Sequence, residues 1–155
     1  LPDSIREQIL TAIATRAALI TVANGYNTDL GLSISRHVRR VDEPDLPAML
    51  VKDGDESGET SHYGIIITVM EVSLIGGINA QDDGEQSTLM SGMFADFMLN
   101  ILSEDTDLGG LVDSITFARN EPKYPVSGQL KAIIEAETVF NVTYQISNND
   151  PYTQP

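Results

Sequence analysis

The side chains best spaced for chemistry are acids. The run Asp53-Gly54-Asp55-Glu56-Ser57-Gly58-Glu59 offers oxygens at alternate positions, with a glycine at the sixth place, where a calcium loop of the EF-hand type makes its sharp turn. The twelfth place, which needs a bidentate acid, holds Gly64. The flanking segments also carry strand patterns where an EF-hand has helices. The run therefore reads as a solvated acidic hairpin tip, with a small cation- or ligand-binding module on loop 53–59 as the alternative.

Other chemistries find less support. The two histidines, His37 and His62, stand at no zinc-like interval from another ligand, and there is no cysteine for a thiolate or a disulfide. No Gly-x-Ser-x-Gly elbow is present, and Gly76-Gly77 and Gly109-Gly110 lack the spacing and the lysine of a phosphate loop. With 23 acids in 155 residues, pairs of carboxylates say little about acid/base work. The expectation is a chain without enzymatic activity, cofactor or metal.

Arg36, His37, Arg39 and Arg40 gather three of only nine Lys and Arg residues. One reading is a solvated strand end. The other is a patch that meets the acidic residues Asp53, Asp55, Glu56 and Glu59 on a second copy of the chain, since the planar guanidinium fork suits carboxylates. A contact between two unlike patches on identical subunits is heterologous, and it builds a ring when the rotation closes.

These residues sit in a pattern of helix and strand. Ser4 followed by Glu7 has the spacing of a capping box, and Ile5, Ile9, Ile13, Ala17 and Ile20 repeat at helical intervals up to a left-handed stop at Asn24-Gly25. Leu30, Leu32 and Ile34 alternate as in a first strand, and Ala48–Val51 predicts a short second one. Positions 52–62 read as a loop, Tyr63–Leu74 as a long third strand, and Gly76–Gln86 as a second loop. Ser87 then caps a second helix whose Leu89, Met90, Met93, Phe94, Phe97, Met98, Ile101 and Leu102 share one face, a core stripe. Leu111–Arg119 and Ala132–Ile146 predict strands four and five, separated by the proline-containing segment Glu121–Gln129. The order α-β-β-β-α-β-β predicts an α+β fold, two helices on a mostly antiparallel or mixed sheet of about five strands, in one domain over 1–146. Residues 147–155, SNNDPYTQP, read as a polar tail that is disordered or orders against a neighbour.

The net charge of −14 disfavours attraction to nucleic acid or an anionic membrane, although an acidic surface suits a conduit through which DNA passes without sticking. The longest apolar stretch, Tyr63–Ile78, is broken by Glu71 and Gly76-Gly77, so a soluble protein without a secretion signal is expected.

Taken together, the helix SIREQILTAIATRAALI, its exit NGYNTDLG, the arginine-bearing strand end, the turn and strand DEPDLPAMLV and the late strand AETVFNVTYQI resemble the small tail terminator proteins of long-tailed bacteriophages, over about residues 4–146. The resemblance implies an α+β fold with two helices against a sheet and a structural role in the virion. Six copies would form a ring on the finished tail tube, stop its polymerisation and present a surface to the head-completion and neck proteins. It implies assembly in the host cytoplasm, DNA only as cargo passing through the lumen, and no catalytic residues. Another neck or head-tail connector component is the neighbouring alternative.

Overall fold

The computed structural model describes residues 2–36, 46–61, 63–80, 83–103, 105–125 and 133–155. Helix α1 spans Ile5–Ala17. Ser4 has extended backbone and its Oγ accepts the Glu7 N–H at 3.1 Å, so the expected cap is in place. Ile5, Ile9, Leu10, Ile13 and Ala17 are buried along one side. The helix ends earlier than expected. Past Ala17 the chain tightens, Asn24-Gly25 closes a separate 3-10 turn over Val22–Asn24, and Gly25 supplies the left-handed residue at φ 93°.

The first strand is shorter than its alternation suggested. Leu30–Leu32 is a second 3-10 turn, and strand β1 is only Ile34–Ser35. Strand β2 runs Ala48–Thr60, and β3 runs Ile65–Asn79. The expected loops at 52–62 and 76–86 are thus largely strand and helix, for helix α2 covers Asp83–Leu102 and Ser87 lies inside it rather than capping it. Strands β4, Ser114–Lys123, and β5, Ile133–Ser147, complete the set. The sheet order is β1-β2-β3-β5-β4, with β1 parallel to β2 and every other pair antiparallel. This is the expected α+β fold with a mixed five-stranded sheet. Pro122, expected outside a strand, lies within β4. That strand is at the sheet edge, where a missing N–H is tolerated.

β3 and β5 pair residue for residue over 15 positions, a ladder of about 50 Å. Met70, Val72 and Leu74 of β3 and Phe140, Val142 and Tyr144 of β5 point to the helix side and form one core with α1 and α2. Gly76 continues that row. A Cβ there would lie 2.7 Å from Leu30 and 2.8 Å from Phe97, so the strand is bare where two large side chains descend onto it. The opposite sheet face holds only a small cluster of Ala48, Leu50 and Ile75.

The C-terminal residues are not a free tail. Ser147 bridges to Asp150, Pro151 O accepts the Ile5 N–H at 2.9 Å, and Gln154 Nε2 donates to the carbonyls of Gly110 and Leu111.

Phe97 has no exposed surface and stands between α2 and the sheet. Replacing it by Ala should cost about 3–5 kcal/mol through lost burial and the cavity left behind. Urea unfolding measures this, and an unchanged midpoint would show that Phe97 carries no packing.

Candidate functional site

The acidic run lies in the outer half of β2, in extended chain, and its residues alternate between the two sheet faces instead of curling around one point. This overturns the premise of a calcium loop. Among the described residues no group of three or more His, Asp or Glu is placed to hold a metal ion. A register shift between Asp53 and Glu56 brings both to the helix side, opposite Val72 and Met70.

There they meet Arg6, one residue into α1. Arg6 Nη2 donates to Asp53 Oδ2, and Nε donates to Glu56 Oε2 at 3.0 Å. Tyr144, buried in the core, donates its hydroxyl to the other Glu56 oxygen. Arg36 lies beside this group and grips Glu7 with both terminal nitrogens, at 2.6 and 3.0 Å. The hydrogen bond from Arg6 holds the Asp53 carboxyl below the usual carboxylate range, and burial, with Glu56 alongside, pushes the Tyr144 hydroxyl well up.

Of the seven residues expected at a contact between copies, the structure brings three into one cluster, and their partners are in the same chain. Arg36 is taken by Glu7, and Asp53 and Glu56 by Arg6. Asp55 and Glu59 are exposed and form no ion pair among the described residues. Arg39 and Arg40, with His37, lie outside the described residues. The expected salt link from Arg36 to a neighbour is thus replaced by an internal clamp that ties the start of α1 to β2 and to the end of β1. Arg6 escaped sequence reading because it looks like an ordinary solvated position on an amphipathic helix, and Glu7 reads there only as the acid of a capping box. Their signal was their place in its first turn.

A second polar centre lies in the helix layer. Asp96, 1% exposed, accepts four hydrogen bonds: Asn27 N and Nδ2 at 2.9 and 3.1 Å, and Thr28 N and Oγ1 at 2.9 and 2.7 Å. Its role is to hold the segment after Gly25 against α2. An acid inside the Met and Phe stripe was the available clue. One turn on, Asn100 donates to Arg16 O and to Tyr26 Oη, while its Oδ1 is buried with no donor among the described residues. Leu19 and Leu99 stand exposed above it and share a shallow groove with Tyr26.

No described helix is long and apolar enough to cross a membrane. No family model matches the chain, and a search of curated proteins finds no significant match.

Two outcomes are expected from these clusters. Asp96→Asn turns an amide N–H₂ toward groups that donate, so it should cost roughly 2–4 kcal/mol of unfolding free energy; an unaltered denaturation curve would remove Asp96 as the anchor. For the clamp, Arg6 and Asp53 are 35% and 45% exposed, so Arg6→Gln should cost only about 0.5–1 kcal/mol at pH 7. Because the folded Asp53 carboxyl lies below its unfolded value, this contribution is present above about pH 4 and fades as pH falls through the lower, folded value. Melts of both proteins from pH 7 to pH 2 should converge at the acid end; a gap that persists there would assign the loss to something other than Asp53.

Proposed function

We propose that the chain is a structural protein of a long-tailed phage virion, a ring-forming tail terminator that caps the tail tube, ends its growth and joins it to the neck proteins. The observation that carries this reading is the arrangement of layers. Two helices cover one face of a five-stranded α+β sheet, as the resemblance of the sequence implies, and the other face is buried around Leu50, Ile75 and Val139 but exposed at Ile67 and Val69. The described clusters fit a scaffold as well. Arg6 and Arg36 are committed to holding elements together, and Asp96 anchors a loop deep in the helix layer. The net charge of −14 supports the role in a second way, since a ring of such chains repels the DNA that passes through it wherever acids face the lumen.

The test is the mass in solution by light scattering after chromatography, across concentration, with and without purified tail tubes. Rings of six chains, or caps at one end of a tube in electron micrographs, are the expected result. A chain that stays single and ignores tubes would overturn the reading.

A further inference from the structure

We infer that Asn24 is a latent site of deamidation, held unreactive by the turn that follows α1 and converted irreversibly when that turn opens. The site is independent of any ring.

Of eight asparagines in the chain, only Asn24 is followed by glycine. In deamidation the backbone nitrogen of the next residue gives up its proton, attacks the side-chain carbon Cγ and expels Nδ2 as ammonia. The product is a five-membered succinimide, and water then opens either of its carbonyl groups to leave aspartate or isoaspartate. The nitrogen has to come close to Cγ. A following glycine permits this, because it lacks a Cβ and reaches backbone angles closed to other residues. Asn24 and Gly25 are both exposed, and a Cβ at Gly25 would meet nothing within 4 Å, so water reaches the site.

The fold commits the two reacting groups to different partners. Gly25 N–H donates to Val22 O at 3.0 Å, so the proton that must leave is tied into the turn. Asn24 Nδ2 donates to Leu19 O at 2.9 Å, which satisfies a carbonyl beyond the end of α1. The Asn24 N–H is fixed as well, at 3.1 Å from the Thr21 carbonyl and 3.3 Å from its Oγ1. Ring closure requires the Gly25 and Nδ2 bonds to break together. Reaction therefore proceeds through an opened turn, and its rate in the folded chain scales with the fraction of time the turn is open.

The closed turn is not recovered afterwards. Aspartate at 24 has an acceptor where Nδ2 donated, and it faces the Leu19 carbonyl with no proton to give. Isoaspartate also adds a backbone atom, which spoils the spacing that brings Gly25 N to Val22 O and Tyr26 N to Thr21 O. The same segment continues through Tyr26, whose hydroxyl accepts from Asn100, to Asn27 and Thr28 on Asp96. Conversion thus loosens the corner where α1 meets α2, and it marks permanently the chains that have opened there.

The experiment keeps the unmodified chain and Thr21→Ala in warm, mildly alkaline buffer, each folded and in guanidinium chloride, and follows the asparagines by peptide mass spectrometry. Trypsin cuts after Arg16 and Arg36 with no Lys or Arg between them, so one peptide carries Asn24 and Asn27, and its fragment masses tell the two apart. In denaturant Asn24 should be the first asparagine to convert, and in the folded chain it should convert more slowly by about tenfold or more. Thr21→Ala, shown to be folded by circular dichroism, should convert at a rate between these. Converted chain returned to native buffer should melt below the unmodified chain. Equal rates folded and denatured, conversion of Asn27 ahead of Asn24 in denaturant, or a folded Thr21→Ala as slow as the unmodified chain would overturn the protected site. Equal melts would overturn the loosening of the corner. If Thr21→Ala does not fold, the comparison of folded with denatured unmodified chain decides alone.

Discussion

The ladder between β3 and β5 constrains every other part of the chain. Fifteen consecutive pairs from Ile65 with Ser147 to Asn79 with Ile133 leave no freedom of register, because a slip of one residue would turn Met70, Val72 and Leu74 outward and bring Glu71 into the core. With that face fixed, the helices have one place to go, and the empty Cβ position at Gly76 sets how closely Leu30 and Phe97 approach it. β2 is drawn into strand geometry by the same ladder. Its outer half, Asp53–Thr60, has glycines and acids that disfavour a strand, yet it pairs with Ile66–Val72, whose residues favour one.

The second constraint is charge. With nine bases against 23 acids, each described arginine matters, and three of them lie where elements converge. Arg6 bridges α1 and β2, Arg36 joins the end of β1 to α1, and Arg119 ties β4 to Glu71 of β3. These pairs are partly exposed, so each contributes little stability alone. Their value is positional, since they hold acid-rich segments next to one another at points where like charges would otherwise push them apart.

Much of this could be read from residue order, and the exceptions have physical causes. The cap at Ser4 and the stripe through Met93 and Phe97 depend on neighbours within two turns of helix, so their sequence signals survive in the fold. The outer half of β2 was misread as a loop because its strand state is imposed by a partner, not by its own residues. Leu30, Leu32 and Ile34 alternate in sequence, but Gly31 must sit under the end of α1, where a Cβ would lie 2.6 Å from the Ala18 carbonyl oxygen, and that close approach is met by a 3-10 turn. The internal partners of Arg36 and Asp53 were invisible for a similar reason, because Glu7 and Arg6 are 29 and 47 positions away.

The edges of the sheet bear on how such a chain can associate. Beyond Leu50 no described strand pairs with the outer side of β2, and an exposed edge invites strand addition. Here that edge carries Asp53, Asp55, Glu56 and Glu59 and is interrupted by a register shift, so a second acidic chain would be repelled from it. The other edge, β4, is broken by a shift between Phe117 and Arg119 and carries Pro122, which has no N–H to donate. Both edges thus oppose growth of the sheet by pairing copies side by side. Blocked edges of this kind work against open-ended growth of the sheet, so any association of copies has to use faces and not strand pairing.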